Sequence, residues 1–334
     1  MKKLLSSTPK YVWYILAGIS VAVILAIYLQ ISGQGNKLKM AGGVPGSYFY
    51  ELAEIYKQEL AKEGVQLEIV QTKGAADNLV YLNEGKVDIG ISHGGLTTPQ
   101  ESPNLSSLGS ISYEPLWVFQ RKGTKPIQDL SQLKGMKVAT GLEGSGVAVI
   151  AKRLFEAEGV NNTNTTIIQM SMKEAEKQLV AGQIDAAVFM DPPENDRIRE
   201  FFSSNVINEA SLDDSEAIRR RFRYLHVIRI PPSGIDLALE QPHSELQTIA
   251  PTAYMASRNN LDPAYQYLLL SVMDRVHHAP TLISNEDEFP ADKDVDLPLS
   301  KDAEVYYKKG KPFLQEYLPF KLASFIERLI KVLL

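Results

Sequence analysis

Lys39-Met40-Ala41-Gly42-Gly43-Val44-Pro45-Gly46-Ser47 and Lys137-Val138-Ala139-Thr140-Gly141-Leu142-Glu143-Gly144-Ser145 stand 98 residues apart and agree at five of nine positions. A second pair, Leu82-Asn83-Glu84-Gly85-Lys86-Val87-Asp88 and Leu179-Val180-Ala181-Gly182-Gln183-Ile184-Asp185, repeats at an offset of 97. Two separate matches at nearly one spacing mark the body of the chain as a duplicated unit.

Each copy reads as strand, glycine-rich turn and helix, then a later helix, a glycine stop and a strand. In the first copy Lys37 to Ala41 is a strand, and Tyr48, Leu52, Ile55, Tyr56 and Leu60 recur at helical spacing until Gly64. Val65 to Gln71 is a strand, a short helix runs through Leu79 and Leu82 to Gly85, and Val87 to Ser92 is again a strand. In the second copy Met136 to Thr140 is the strand, and Ile150, Leu154 and Phe155 line a helix that ends at Gly159. Ser171-Met172-Lys173-Glu174 has the form of a capping box, and Ile184 to Met190 follows as a strand.

Strands alternating with helices across short turns imply two α/β lobes with mainly parallel sheets. Ser110 to Lys122, with Tyr113, Trp117 and Phe119 in alternation, is expected to carry the chain between lobes, and Pro115 restricts its middle to an edge or crossing strand. Ile249 to Ser257 and Pro263 to His277 have no counterpart in the second copy, so they are assigned back to the first lobe. The expected divisions are 37–125 for the first part of lobe I, 126–228 for lobe II and 229–285 for the return to lobe I. Residues 286–334 are expected to form a linker and an amphipathic, membrane-proximal carboxyl-terminal helix. Within them the acidic stretch Asn285 to Asp296 reads as an exposed loop.

Ahead of the body, Tyr11 to Ile31 is a run of 21 residues without a charge, long enough to cross roughly 30 Å of hydrocarbon as a helix. Lys2, Lys3 and Lys10 precede it and Trp13, Tyr14 and Tyr28 lie near its ends. Positive charge before the span keeps residues 1–10 in the cytoplasm and places the body on the periplasmic or extracellular side. The run is longer than a signal-peptide core, and Ile31-Ser32-Gly33-Gln34 is a poor cleavage site, which favours an uncleaved single-pass anchor in the inner membrane.

The remaining composition excludes more than it assigns. With 35 Lys plus Arg against 40 Asp plus Glu in 334 residues, the net charge of -5 argues against a nucleic-acid binder. The absence of cysteine removes disulfides, thiol nucleophiles and Cys-based zinc sites. Val147 stands where a P-loop needs Lys, Gly42 to Gly46 does not give G-x-G-x-x-G, and Glu143 interrupts a nucleophile elbow. The five histidines include no H-E-x-x-H, so neither an enzyme nor a resident cofactor or metal is expected. His277 and His278 close a helix, and Arg219, Arg220, Arg221 and Arg223 read as a solvated helix face.

Open α/β sheets bind ligands beyond the carboxyl ends of their strands, where glycine admits close approach and helix N-termini offer free N–H groups. Gly43 to Ser47 and Gly141 to Gly146 are two such turns, facing one cleft in a pseudo-symmetric body. Thr72-Lys73-Gly74 and Ser92-His93-Gly94 end later strands of the first lobe, and Asp191 ends a strand of the second before Pro192 and Pro193. A small organic anion is the natural occupant, with His93 a candidate contact and Asp191 suited to a ligand hydroxyl or amine.

These residues resemble the TAXI family of solute receptors that serve TRAP transporters, across roughly Lys37 to His278. The family's opening turn is similar to Gly42-Gly43-Val44-Pro45-Gly46-Ser47-Tyr48, and its Thr-Gly-Gly-Ser motif with a following Asn is similar to Thr72-Lys73-Gly74-Ala75 and Asn78. Its Gly-x-x-Asp stretches match Gly85 to Asp88 and Gly182 to Asp185, and its Gly-Ser-Gly-Thr turn matches Gly144-Ser145-Gly146-Val147. Lys73, Ala75 and Val147 depart from it, removing two hydroxyls and adding a cation. The resemblance implies a type II periplasmic-binding-protein fold, a carboxylate ligand such as glutamate or a dicarboxylate, and a TRAP-type permease as partner. It carries ligand-binding roles to Gly43, Ser47, Tyr48, Thr72, Lys73, Gly74, Asn78, Gly144, Ser145 and Gly146. A membrane-tethered sensor that signals without transport is the alternative for the same closing lobes.

Overall fold

The computed structural model describes residues 37–318 without a break, together with residues 11–15, 18, 320, 322, 323, 326 and 330. Among the described residues no helix is long and apolar enough to cross a membrane. The expected anchor, 11–31, lies largely outside them, as does most of the expected helix over 321–334.

The first unit runs β1 (Lys37–Gly43), α1 (Tyr48–Lys62), β2 (Gln66–Gln71), α2 (Ala75–Asn83) and β3 (Ile89–His93). The second repeats it as β6 (Lys137–Thr140), α3 (Gly146–Ala157), β7 (Thr166–Gln169), α4 (Met172–Val180) and β8 (Ala186–Met190). In each, the first strand lies in parallel between the other two. The repeated Gly-x-x-Asp has one physical meaning in both copies. Gly85 and Gly182 both take φ of 69°, the left-handed conformation that stops a helix cheaply only at glycine. The Asp three residues on then ties the start of the third strand to the start of the first: Lys39 N donates to Asp88 Oδ2 at 2.9 Å, and Lys137 N to Asp185 Oδ2 at 2.7 Å. The central strands β3 and β8 are buried at every residue, as strands covered on both faces must be.

The fourth strand of each sheet arrives from the other half of the chain. After β4 (Leu105–Tyr113), β5 (Leu116–Arg121) joins the second sheet, antiparallel to β8 and to β9 (Ile207–Glu209). The chain therefore changes lobes at Tyr113 to Leu116, and the expected boundary at 125 is too late. Pro115, which has no N–H for a ladder, sits at the break. The return crossing is β11 (Leu246–Arg258), which pairs with β10 (Leu225–Ile230) through residue 251 and with β3 and β4 from residue 252 onward. Leu225 and Ile249 pack in one apolar cluster of lobe II, and Ile228, Ile230, Leu246 and Ala250 in the other. Residues 229–251 therefore stay with lobe II, and the expected division at 228/229 falls inside β10, a strand that lies wholly with lobe II. This is the two-lobed, doubly crossed architecture of the type II periplasmic-binding-protein fold. The helix α7 (Pro263–His277) buries Leu268, Leu269, Val272 and Met273 against lobe I.

Asn285 to Asp296 is not an exposed loop. Phe289 is 4% exposed and packs edge-on against Tyr113, and Leu297 is buried. Ser110 and Ala291 exchange backbone hydrogen bonds, and Asp296 accepts from the N–H groups of Gly95, Leu96 and Thr97. The segment is a strap along β4, made possible by Gly109, where a Cβ would strike the Ala291 carbonyl and the Tyr307 hydroxyl of α8 (Lys301–Lys309). His277 also departs from expectation: its Nε2 is hydrogen-bonded to the buried Tyr56 hydroxyl at 3.0 Å. Arg219 and Arg220 pair with Glu216 on an exposed face of α6 (Ser215–Arg221), a solvated arrangement.

If the strap is part of the core, Phe289→Ala is expected to cost about 3–5 kcal/mol, the range for removing a buried aromatic ring. Chemical denaturation of the full chain measures it, and a loss below about 1 kcal/mol would return the strap to the surface.

Candidate functional site

Each parallel strand ends at the edge facing the other lobe, and the turns after β1, β2, β6, β7 and β8 each start a helix there. The helices α1, α2, α3 and α4, with α5 (Asp196–Ser203), all begin on one cavity of about 330 Å³ between the lobes. A helix leaves its first N–H groups without intrahelical partners, and the aligned peptide dipoles add positive potential. Five such starts make the cavity an anion receptacle before any side chain is counted.

The turns are built for close approach. Ser145 caps α3, its Oγ accepting from Ala148 N at 3.2 Å, while Ser47 holds the same position on α1 without a side-chain cap bond, leaving its hydroxyl free for a ligand. Gly74 has φ of 130°, and a Cβ there would lie 3.0 Å from Ser145 Cα in the other lobe. A Cβ at Gly146 would collide with Nδ1 of His93. The lobes meet along this line, where Asp77 N donates to the Gly144 carbonyl at 3.1 Å. Further across, Leu282 N donates to Glu194 Oε1 at 2.8 Å, and the Arg153 guanidinium donates to the Gly95 carbonyl.

Of the residues expected at the site, Ser47, Tyr48, Lys73, Gly74, His93, Ser145, Gly146 and Asp191 line the cavity. Gly43, Thr72, Asn78 and Gly144 do not. Thr72 and Asn78 are buried and hydrogen-bonded to each other, Thr72 Oγ1 also accepts from Gly43 N, and Asn78 Nδ2 donates to the Ile91 carbonyl. They hold the turn's shape from behind. Gly144 contributes its carbonyl to the closure contact.

Sequence reading missed Glu114, Asn195 and Arg197. Asn195 caps α5 by accepting from Arg197 N at 2.9 Å, and the Arg197 guanidinium reaches across to the Gly46 turn, with Nη2 3.0 Å from where a Cβ would stand. Asn195-Asp196 ahead of a helical stretch is a capping signal, but nothing in it marks the arginine two residues on. Glu114 lies in the first crossing and is 1% exposed. Phe49, Val147, Met170, Met172 and Phe189 make the walls apolar.

The electrostatics follow from this enclosure. Burial drives the Glu114 carboxyl well above the carboxylate range, with neighbouring Asp191 adding repulsion. Burial also lifts Asp191 from 3.8 to about 7, opposed by Arg197. His93, its ring tilted against Phe49 with centroids 5.0 Å apart, is pushed down to about 3 by burial, so its ring is neutral, and neither ring nitrogen has a partner among the described residues. No three His, Asp or Glu among the described residues stand close enough to hold a metal ion.

Residues 40–310 match the model of the NMT1-like family. No curated protein matches the chain. Among solved structures, one from Bordetella bronchiseptica RB50 is 18% identical with a TM-score of 0.50, covering 72% of this chain and 70% of that one. The periplasmic aliphatic sulphonate binding protein SsuA of Escherichia coli is 16% identical, with a TM-score of 0.45 and coverage of 72% and 68%. The GluR0 ligand-binding core of Nostoc punctiforme, in complex with L-glutamate, is 15% identical, with a TM-score of 0.44 and coverage of 72% and 92%. At these identities the likeness concerns the fold and not the ligand.

Asp191 sets a pH dependence for the ligand-free protein. Its folded pKa lies above its unfolded value, so the folded state binds the proton more tightly, and stability declines as pH rises from about 4 to about 7. Asp191→Asn is expected to raise the melting temperature at about pH 8 and leave it nearly unchanged near pH 4. An equal effect at both would show that the carboxyl is not enclosed.

Proposed function

The chain belongs to the NMT1-like family, and from that membership and the inter-lobe cavity we propose that it is an extracytoplasmic solute-binding receptor that closes its lobes on a small carboxylate-bearing metabolite. One observation carries the reading: five helix N-termini from two lobes converge on one cavity whose size suits a metabolite. Ser47, Ser145 and the backbone around Gly74 and Gly146 supply hydroxyl and N–H donors, and Lys73 and Arg197 supply charge.

Closure is the mechanism. The crossings at Tyr113–Leu116 and along β11 are the covalent links between the lobes, so a ligand that touches both turns adds its binding energy to the closed state alone. The receptor then presents its cargo to a TRAP-type permease, a reading supported by the turn motifs at Gly42–Tyr48, Gly85–Asp88, Gly144–Ser145 and Gly182–Asp185. The uncharged run 11–31, with lysines before it, supports a tether that leaves the lobes outside the cytoplasm.

Thermal melting of the full chain against carboxylates, amino acids, sulfonates and sugars tests the proposal, since a ligand that binds only the folded state raises the transition temperature. A carboxylate is expected to do so, and Ser145→Leu is expected to weaken that ligand by about tenfold or more, at about 1 kcal/mol of lost capping. A panel with no stabilising carboxylate would sink the assignment, and an unchanged affinity in Ser145→Leu would remove that turn from the site.

A further inference from the structure

The cavity is not uniformly cationic. Glu114 stands two residues ahead of β5 and Asp191 one residue past β8, and because Leu116 is the register partner of Met190 in that antiparallel pair, both come off the same end of the sheet. Both line the cavity. The Glu114 carboxyl takes one hydrogen bond, from Ser112 Oγ at 2.9 Å, and no hydrogen bond to the Asp191 side chain exists among the described residues. Glu51 and Glu194 add negative potential from just beyond. Arg197 faces this end from the Gly46 turn, yet neither it nor Lys73 nor Lys173 forms an ion pair with Glu114 or Asp191 among the described residues.

Two carboxyls at one end of a cavity are costly to ionise, because like charges and desolvation both oppose it. A cation between them removes both penalties. The N-termini of α2 and α3 and the Lys73 side chain, which cluster around Gly74, Ser145 and Gly146, favour a negative group. His93, buried and unpartnered beside it, offers one neutral N–H and one lone pair to a polar ligand atom.

We infer that the ligand is a zwitterion, a carboxylate that also bears an amine, with its ammonium group between Glu114 and Asp191 and its carboxylate on the helix N-termini. The inference rests on the reading that the cleft captures a small carboxylate, and it narrows that class to amino acids over dicarboxylates and 2-oxo acids. The apolar walls of Phe49, Met170 and Phe189 favour an uncharged side chain.

Titration calorimetry on the full chain with L-leucine, L-methionine, L-glutamine and L-glutamate, each beside its own 2-oxo acid, and with succinate, separates the possibilities. At least one amino acid is expected to bind at least about tenfold more tightly than its 2-oxo acid. Asp191→Asn and Glu114→Gln are expected to weaken that amino acid about tenfold while leaving the 2-oxo acid unchanged or tighter, with melting curves verifying that both variants fold. A 2-oxo acid or succinate that binds as tightly as the amino acids, or variants that bind the amino acid more tightly, would overturn the inference and leave the receptor reading standing. No binding by any compound would overturn both.

Discussion

A parallel strand followed by a helix has to turn at its carboxyl end, and that geometry places every helix N-terminus on one edge of its sheet. In this protein two such sheets face each other edge to edge, so the free N–H groups of both are aimed at the space between them. The duplicated sequence is what makes the two edges alike, and the exchange of fourth strands, β5 and β11, is what holds them opposed. The cavity, its positive end and the glycines along its rim all follow from that constraint.

The closed arrangement is a balance of poorly satisfied groups and good contacts. The Asp77 N–H donating to the Gly144 carbonyl and the Leu282 N–H donating to the Glu194 carboxylate join the lobes. Against them stand a histidine with no partner for either ring nitrogen among the described residues and, at the other end of the cavity, the Glu114 carboxyl with one hydrogen bond from Ser112. Each of these is a penalty that water relieves when the lobes part and that a matching ligand relieves when they stay shut.

The repeat, the alternation of elements and the strand-end turns were legible in the sequence because each is local: a hydrophobic period, a capping residue or a glycine at a forced φ. Crossing points were harder. Trp117 and Phe119 alternate as a strand would, but which sheet they join depends on their partners Phe189 and Ala187, far along the chain. The strap was misread because its acidic and proline-bearing composition matches a linker, whereas its burial depends on one aromatic ring and one aspartate that accepts three backbone N–H groups. Thr72 and Asn78 were taken for ligand contacts since a polar residue in a turn looks the same whether it faces the cleft or braces it. Glu114 and Arg197 carry no motif, and only the tertiary structure brings them to the cavity.

The strap also fixes where mechanical load enters the molecule. It is laced to β4 and to the 95–97 turn, α8 beyond it packs on α7, and the buried Phe320 lies 5.5 Å from Tyr265 of that same helix. The segment downstream of α7 is thus bolted to the first lobe, with Asp294, 3.7 Å from His226 Nε2 on β10, as a foothold on the second. A pull on that segment, or on β1, therefore enters the molecule through the first lobe and reaches the second chiefly through β5 and β11.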